Sequence, residues 1–550
     1  MPQAQVKFFN MPNDNKRVIK VESILGGHSP TTHFAAPDQF RASIGINPSL
    51  AINDTSNDPL AAYASGLLRP AGASAIGTTG AIPLWIKANP KDDKIYINDS
   101  QGSAYTINSA LDTLTALGDG GTLTSASGNG CTYYDNYMYF AKNTDIARYG
   151  PLNGTPVFTG TYWTGTLGKT ALVNTTYPVD TYFAISLPNH VLHRHSDGRL
   201  YIADVVDNKG TVHFIQTTKT TVEGDTDNGS TYNKVQVGYG LWPTVMESYG
   251  SDLAIAFVEG TNTATAVLRP SIAKIAFWDT TSANVNKITW VEFPDPLITA
   301  MKNVNGVLYV VSSTFRPRGF RLSRFVGGYS FEEVAYYENG RAGFPGAVDA
   351  AGNTFFFGAV VDVPSTAGSI MTFGLLKKAL GSGIFNILSS STGGTSTQVS
   401  ALLLMSDNGL NGLSKAVPIF GRAAAAGTSA GIDAQSTTYN SSKIAWWSQT
   451  YRIGQPFKIT KLRIPLAQAV AANMTVTPKI YTDDGAGTTY TLTAINNTNN
   501  SGAFNVVRRS GSAGEVITGQ HNFWLELIWT GSVLCTVGLP ITIEYELIDD

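Results

Sequence analysis

Charge is scarce in this sequence. Asp, Glu, Lys and Arg make up 14% of its 550 residues, against about a quarter in an ordinary soluble protein. That shortage argues against long solvated helices, whose outer faces need such residues. The 38 basic and 40 acidic residues leave a net charge of -2, so the basic field that nucleic-acid binding requires is missing. Cysteine is rarer still. Cys131 and Cys535 are the only two, they fall in different predicted domains, and they read as free thiols rather than as a disulfide framework. No apolar run reaches the ~18 residues of a membrane span. The opening stretch MPQAQVKFFNMPNDNKRV has no apolar h-region and no cleavage-site pattern, so no secretory signal is expected. A Gly-rich phosphate loop, a Gly-x-Ser-x-Gly elbow, a Cys-x-x-Cys pair and a convincing pair of catalytic carboxylates are all missing. No cofactor and no enzymatic activity are expected.

What is present is strand and turn chemistry. The sequence holds 55 Gly, 24 Tyr and 25 Phe, a mixture suited to many short strands joined by turns. Ser196 to Gln216, SDGRLYIADVVDNKGTVHFIQ, shows the grammar. Asp197 and Gly198 supply a turn, Leu200 to Ala203 a strand, Asn208 to Gly210 another turn, and Thr211 to Ile215 the return strand. The pattern recurs at Asp92–Ile107, Tyr134–Tyr149, Gly250–Trp278, Asn305–Phe325 and Ala351–Phe373. Starts are spaced by roughly 40 to 60 residues, near the period of four-stranded propeller blades. Six units are counted, and a seventh is expected in 398–430 from Ser400–Met405 and Lys415–Phe420. The predicted class is all-β: a β-propeller of six or seven blades over 76–430, preceded by an extended, irregular N-terminal arm over 1–75.

Residues 421–440, GRAAAAGTSAGIDAQSTTYN, are small and polar and read as a linker. Beyond them, segments such as FKITKLRIPL, MTVTPKIY and NFWLELIW alternate with period two. Met474, Val476, Pro478 and Ile480 share one face. About seven strands over 441–550 predict a jelly-roll-like β-sandwich.

Few residues invite chemistry. His190, His193 and His195 form His-x-x-His-x-His ahead of Asp197, a candidate metal set because His193 and His195 share a face of an extended segment. Asp225–Gly229 and Asp483–Gly485 resemble fragments of calcium loops but read first as hairpin tips. Trp446 and Trp447 must point to opposite sides of a strand, so one is expected in a core and the other at an interface. Tyr162 with Trp163, and Tyr336 with Tyr337, are further aromatic candidates for stacking on sugar rings. Arg316, Arg318, Arg321 and Arg324 in FRPRGFRLSRF form a local basic cluster able to meet a partner or an anionic glycan. Were the propeller a glycoside hydrolase, two carboxylates about 5 to 9 Å apart would be required, and Asp197, Asp204, Asp252 and Asp279 are the first to inspect.

An unexported chain with an irregular arm, a Tyr/Phe-rich degenerate propeller and a C-terminal sandwich resembles structural proteins of tailed-bacteriophage particles. WWSQTYRIGQPFKITKLRIPL also looks like the first strands of galactose-binding-like modules. The resemblance implies a virion component of the tail, nozzle, collar or capsid surface, present in symmetric copies. It also implies other virion proteins as partners and a sandwich turned towards a host glycan or a neighbouring subunit. A free glycan-binding lectin and a propeller glycoside hydrolase are the alternatives.

Overall fold

The computed structural model describes residues 15–29, 36, 38–48, 68, 72–89, 94–100, 103–108, 110–117, 130–142, 145–163, 191–206, 209–215, 235–259, 273–281, 288–314, 319–327, 329–365, 368–379, 383–388, 398–405, 417–423, 429–436, 444–467, 469–483, 489–498, 504–506, 517–531 and 535–548. Every named element among them is a β-strand.

Seven antiparallel sheets follow one another along the chain. Sheet 1 comprises Pro83–Ala88, Ile95–Asp99, Ala104–Ile107 and Leu114–Ala116. Sheet 2 comprises Cys131–Tyr134, Tyr137–Lys142, Asp145–Gly150 and Val157–Trp163. Sheet 3 holds Val191–Arg194, Leu200–Val206, Lys209–Ile215 and Val235–Tyr239. In sheet 4 are Leu241–Tyr249, Asp252–Glu259, Ala273–Trp278 and Thr289–Phe293. Sheet 5 runs through Leu297–Val304, Val307–Thr314, Gly319–Phe325 and Phe331–Glu338. Sheet 6 sets Val348–Ala351 and the short Arg341–Ala342 against Thr354–Ser365, then adds Gly368–Ala379 and Ile384–Leu388. Sheet 7 joins Val399–Met405, Val417–Arg422 and Gly431–Ser436. Its fourth strand is Gly72–Thr78, brought from the other end of the chain.

The strand pairs foreseen from turn grammar are the second and third strands of sheets 1 to 6. Local chemistry sets the turns that lead into these pairs, joining the first strand of a sheet to its second. Asn305 and Gly306 both take positive φ, the conformation of a type I′ hairpin turn whose twist matches its strands. Asp135 and Asn136 do the same.

The first strands of the seven sheets touch in a closed circuit. Sheet 1 meets sheet 2, each sheet meets the next, and Val399–Met405 returns to Pro83–Ala88. Adjacent sheets share apolar layers. Leu192, Leu200 and Ile202 of sheet 3 pack with Tyr134, Tyr139 and Ile146 of sheet 2. Tyr201 and Phe214 meet Leu253, Ile255 and Trp278. Ile275 and Phe277 meet Val310 and Phe325. Ile86, Ile95 and Ile97 meet Ile419 and Ile432 across the closure. One sheet exposes two apolar faces, and only neighbours on both sides bury them.

The C-terminal strands form two further sheets. One carries Phe457–Pro465, Ile541–Leu547, Phe504–Val506 and Ile517–Gly519. The other carries Thr489–Thr491, Met474–Thr482, Asn522–Gly531, Ile444–Trp447 and Tyr451–Arg452. Ile459, Leu462, Ile464, Ile541 and Ile543 bury against Met474, Val476, Ile480, Leu525, Leu527 and Trp529.

Within the N-terminal arm of residues 1–75, Gly27–His28 and Gln39–Phe40 pair with each other in parallel, while the other strands described there join sheets of the rest of the chain. Lys16–Val21 pairs with Ile541–Leu547, and Ala42–Ile44 pairs with Ile444–Trp447. Each thus extends one of the two C-terminal sheets. Backbone pairing satisfies donors and acceptors that an irregular arm would leave to water. Gly27–His28 lies against sheet 6, where the Gly383 N–H donates to the Leu25 carbonyl at 3.1 Å. The linker reading of 421–440 needs correction, because Gly431–Ser436 is an interior strand of sheet 7. Its small, polar letters concealed a buried alternation, with Ile432 wholly buried and Asp433 held by Arg422.

Candidate functional site

The circuit of first strands brings ionisable side chains together. In each sheet the first two strands form a hairpin, and its register can be counted back from the turn. Lys87 pairs with Tyr96, two residues before Asn89, whose N–H closes the turn on the Lys94 carbonyl. His193 pairs with Tyr201, two residues before His195, whose N–H closes on the Arg199 carbonyl. Glu247 faces Ala254, Lys302 faces Tyr309 and Asp349 faces Phe356, each two residues before the last pair of its hairpin. Thr132 of sheet 2 and Leu403 of sheet 7 occupy the same place. One level of the circuit therefore reads Lys87, Thr132, His193, Glu247, Lys302, Asp349, Leu403. All of these side chains are half-buried.

Bonds cross from sheet to sheet at this level. The Lys302 ammonium lies 3.2 Å from Asp349 Oδ1. The other Asp349 oxygen accepts from the Leu404 N–H of sheet 7 at 2.9 Å. Asn303 Nδ2 donates to the Ser248 carbonyl at 2.9 Å. The Ser248 hydroxyl sits 2.8 Å from His193 Nε2 and 2.9 Å from His195 Nδ1. Burial works against the Lys302 charge, but the Asp349 and Glu247 carboxylates outweigh it and hold its pKa above the usual lysine value. Burial pushes Glu247 up and Lys87 down. Burial, helped by the Lys302 charge, pushes His193 down to about 3, so its imidazole is neutral at ordinary pH.

The candidates marked in the sequence fare differently. His190 lies outside the described residues. His193 and His195 share Ser248, and no cluster of three potential metal ligands occurs among the described residues. Asp197 accepts from the Tyr201 hydroxyl at 2.6 Å and the Arg199 N–H at 3.1 Å, which makes it a turn anchor. Asp252 accepts from the Tyr329 hydroxyl at 3.2 Å, and Asp279 from the Thr281 N–H at 3.0 Å. The side chain of Asp204 lies outside the described set, as do Asp225–Gly229. Asp483 accepts from the His521 N–H at 2.8 Å and so ties two turns.

Trp446 and Trp447 are both buried, at 0% and 5% exposure, so neither is a surface platform for a sugar. Trp446 enters the core between the two C-terminal sheets. Trp447 points the other way and packs with Tyr481 and Trp524 against Tyr309, Phe320 and Phe355 of sheets 5 and 6. The expected interface is thus the junction of the chain's own two units. Tyr337 is buried and stacked on Phe320, 4.7 Å between centroids. Tyr162 lies over the Arg148 guanidinium at 3.9 Å. Arg316 and Arg318 lie outside the described residues. Arg321 is paired with Asp295 at 3.0 Å and with Glu333 at 2.5 Å, and Arg324 with Glu332. Glu332 and Glu333 of FEEVAYYE on the adjacent strand neutralise the basic letters of GFRLSRF: register sets Glu332 opposite Arg324 and Glu333 opposite Ser323, diagonal to Arg321.

Sequence reading passed over Lys87, Glu247, Lys302 and Asp349, since no local motif joins them. A positional signal exists: each stands the same short distance before a polar turn that the sequence does announce.

No family model matches the chain, and no curated protein does. Among solved structures it is similar to the Neurospora crassa Pan2 WD40 domain, at 10% identity over 66% of this chain and 93% of that one, with a TM-score of 0.40. It is also similar to the Myceliophthora thermophila Cps50 (Swd1) β-propeller domain, at 10% identity over 67% and 99%, with a TM-score of 0.38. A third similarity is to a putative oxidoreductase (glucose dehydrogenase) from Thermus thermophilus, at 12% identity over 53% and 94%, with a TM-score of 0.34. The architecture is read from the strand pairing itself, which describes an all-β chain of small sheets arranged in a circuit.

Proposed function

We propose that this chain is a non-catalytic structural subunit of a tailed-bacteriophage particle, built as a seven-bladed β-propeller bonded to a C-terminal β-sandwich. One observation carries the reading: strands from the first eighty or so residues tie every unit to the others. Gly72–Thr78 closes the ring of sheets, while Lys16–Val21 and Ala42–Ile44 complete both C-terminal sheets. The apolar junction around Trp447, Trp524 and Phe355 leaves the two units little freedom to move against each other. A part that must hold its shape in a particle benefits from such cross-bracing, whereas enzymes draw on mobile loops and lids. The low charge content supports extensive contact with copies of itself and with other virion proteins, because interface cores are depleted of charge. In this reading the sandwich faces outward, towards a neighbouring subunit or a host-surface glycan.

The test is native mass and shape. Light scattering and negative-stain imaging of the purified chain are expected to give a symmetric oligomer or lattice, and an antibody is expected to detect the chain in sedimented particles. A concentration-independent monomer that is absent from particles overturns the proposal. Glycan-array binding by that monomer would then identify a lectin.

A further inference from the structure

Residues 24–29 lie against the ring with backbone on backbone. Gly27 takes a φ of +75°, and a Cβ added there would stand 2.5 Å from the Ile384 nitrogen of sheet 6. One added at Gly383 would stand 2.0 Å from the Gly26 carbonyl oxygen. Such a contact has no room for a side chain, nor for a small shift of the segment. Gly27–His28 pairs in parallel with Gln39–Phe40, and the chain beyond Phe40 carries the contact onward. The Arg41 N–H donates to the Trp447 carbonyl at 3.1 Å, and the Ile46 N–H to the Asn386 carbonyl at 3.2 Å. One stretch thus touches both the C-terminal strands and sheet 6. The ring does not need it as a strand, because Gly27–His28 and Gln39–Phe40 form a two-stranded sheet of their own.

His28 is the one ionisable side chain within residues 24–29. It packs against Phe40 and against Tyr337 of sheet 5. Its Nδ1 is buried and has no hydrogen-bond partner among the described residues. A charged imidazole carries an N–H on both nitrogens, so protonation would leave a buried donor without an acceptor. No countercharge is at hand either. Tyr337 faces the ring with a hydroxyl that burial keeps neutral. Glu338, next along that strand, is exposed and on the opposite face. The strand Ile384–Leu388 of sheet 6 has no ionisable side chain. Arg41 holds its guanidinium over the Trp524 ring at 4.8 Å. No carboxylate, that of Asp38 beside Gly26 included, pulls on the His28 ring. We propose that residues 24–29 form an acid-released latch: a proton taken up by His28 frees them from sheets 5 and 6 and loosens the hold of the ring on the C-terminal strands, while the ring itself stays folded. This device goes beyond the structural role and does not depend on it.

In the latched state burial holds the His28 pKa at about 4, against 6.5 once released. The released state therefore binds a proton that the latched state refuses. Its share rises as pH falls from 6.5 to 4, by up to about tenfold per pH unit. Hydrogen exchange on the full chain, corrected for the intrinsic pH dependence of exchange, tests this. The reporters are the N–H groups of Gly26, Gly27 and Ser29, bonded to the Asp38, Ile24 and Phe40 carbonyls. The reference is the strand Asp252–Glu259 in sheet 4. Between pH 6.5 and about 4.5 the opening constant of the reporters is expected to rise about thirtyfold, while the reference stays protected. His28→Phe, which keeps a stacked ring but takes no proton, is expected to abolish the rise. A reporter opening constant that does not change with pH in the wild-type chain overturns the latch, and that measurement needs no variant. So does a reference strand that opens in step, since the loss would then be global. An undiminished rise in folded His28→Phe overturns it as well.

Discussion

At the residue scale, the buried ion pair of sheet 7 shows how a charge is held inside this protein. Arg422 and Asp433 are 1% and 0% exposed and meet at 3.0 Å. Arg422 also donates to the Ser429 carbonyl. Gly431 makes room for it, since an added Cβ would stand 2.6 Å from the Arg422 guanidinium. Removing one member leaves a buried charge unpaired. Arg422→Met is expected to lower unfolding free energy by about 3–5 kcal/mol, and Arg422→Met with Asp433→Leu to recover much of that loss. Urea denaturation of both variants checks it, and a single variant as stable as wild type would refute the pairing argument. Neither residue was legible as a pair, because Asp433 sits in a stretch whose small letters read as linker. Arg321 and Arg324 teach the same point from the surface. Their clustering was plain in the sequence, but the acids that neutralise them come from the fold: Glu332 opposite Arg324, and Glu333 and Asp295 within reach of Arg321.

At the element scale, the short strand Gly27–His28 fixes the N-terminal segment to the ring. His28 is 6% exposed, stacked on Phe40 at 6.2 Å and close to Tyr337 at 5.2 Å. Burial lowers its pKa from 6.5 to about 4, against a smaller opposing pull from the Arg41 backbone. The unfolded chain therefore binds a proton that the folded chain refuses between those two values. This contribution to stability is full above pH 6.5, falls as pH drops towards 4, and is lost below it. Its size is up to about 3 kcal/mol. His193, pushed down to about 3, adds a loss of the same sign. His28→Phe is expected to keep the stacking and flatten part of the acid slope. Denaturation series at neutral and acid pH measure this, and identical slopes in variant and wild type would show that His28 does not report on docking. Hairpins, by contrast, were legible from the letters alone. Asn305–Gly306 and Asp135–Asn136 announce turns whose dihedrals belong to those residue types, and the strands on either side follow from them.

At the scale of the whole molecule, the design is a closed circuit whose ends are tied by distant strands. Deleting residues 1–80 would strip Gly431–Ser436 of one of its two partner strands and remove an edge strand from each C-terminal sheet. Bare strand edges recruit other chains, so the truncated protein is expected to aggregate or to lose a single cooperative transition. Light scattering and a thermal melt decide this, and a soluble truncated monomer with an unchanged melting temperature would contradict it. The sequence by itself determined the all-β class, the strand pairs at the centre of sheets 1 to 6, and the alternation in strands such as Met474–Thr482. Those features depend on neighbouring stretches of the sequence, where side-chain period and turn chemistry act directly. Only the tertiary structure decided that Gly72–Thr78 completes the last sheet, that Trp447 seals the junction between units, and that Lys87, Glu247, Lys302 and Asp349 share one belt. These outcomes join residues hundreds of positions apart. They follow from the need to bury both faces of every sheet, and no local pattern encodes which distant strand will meet that need.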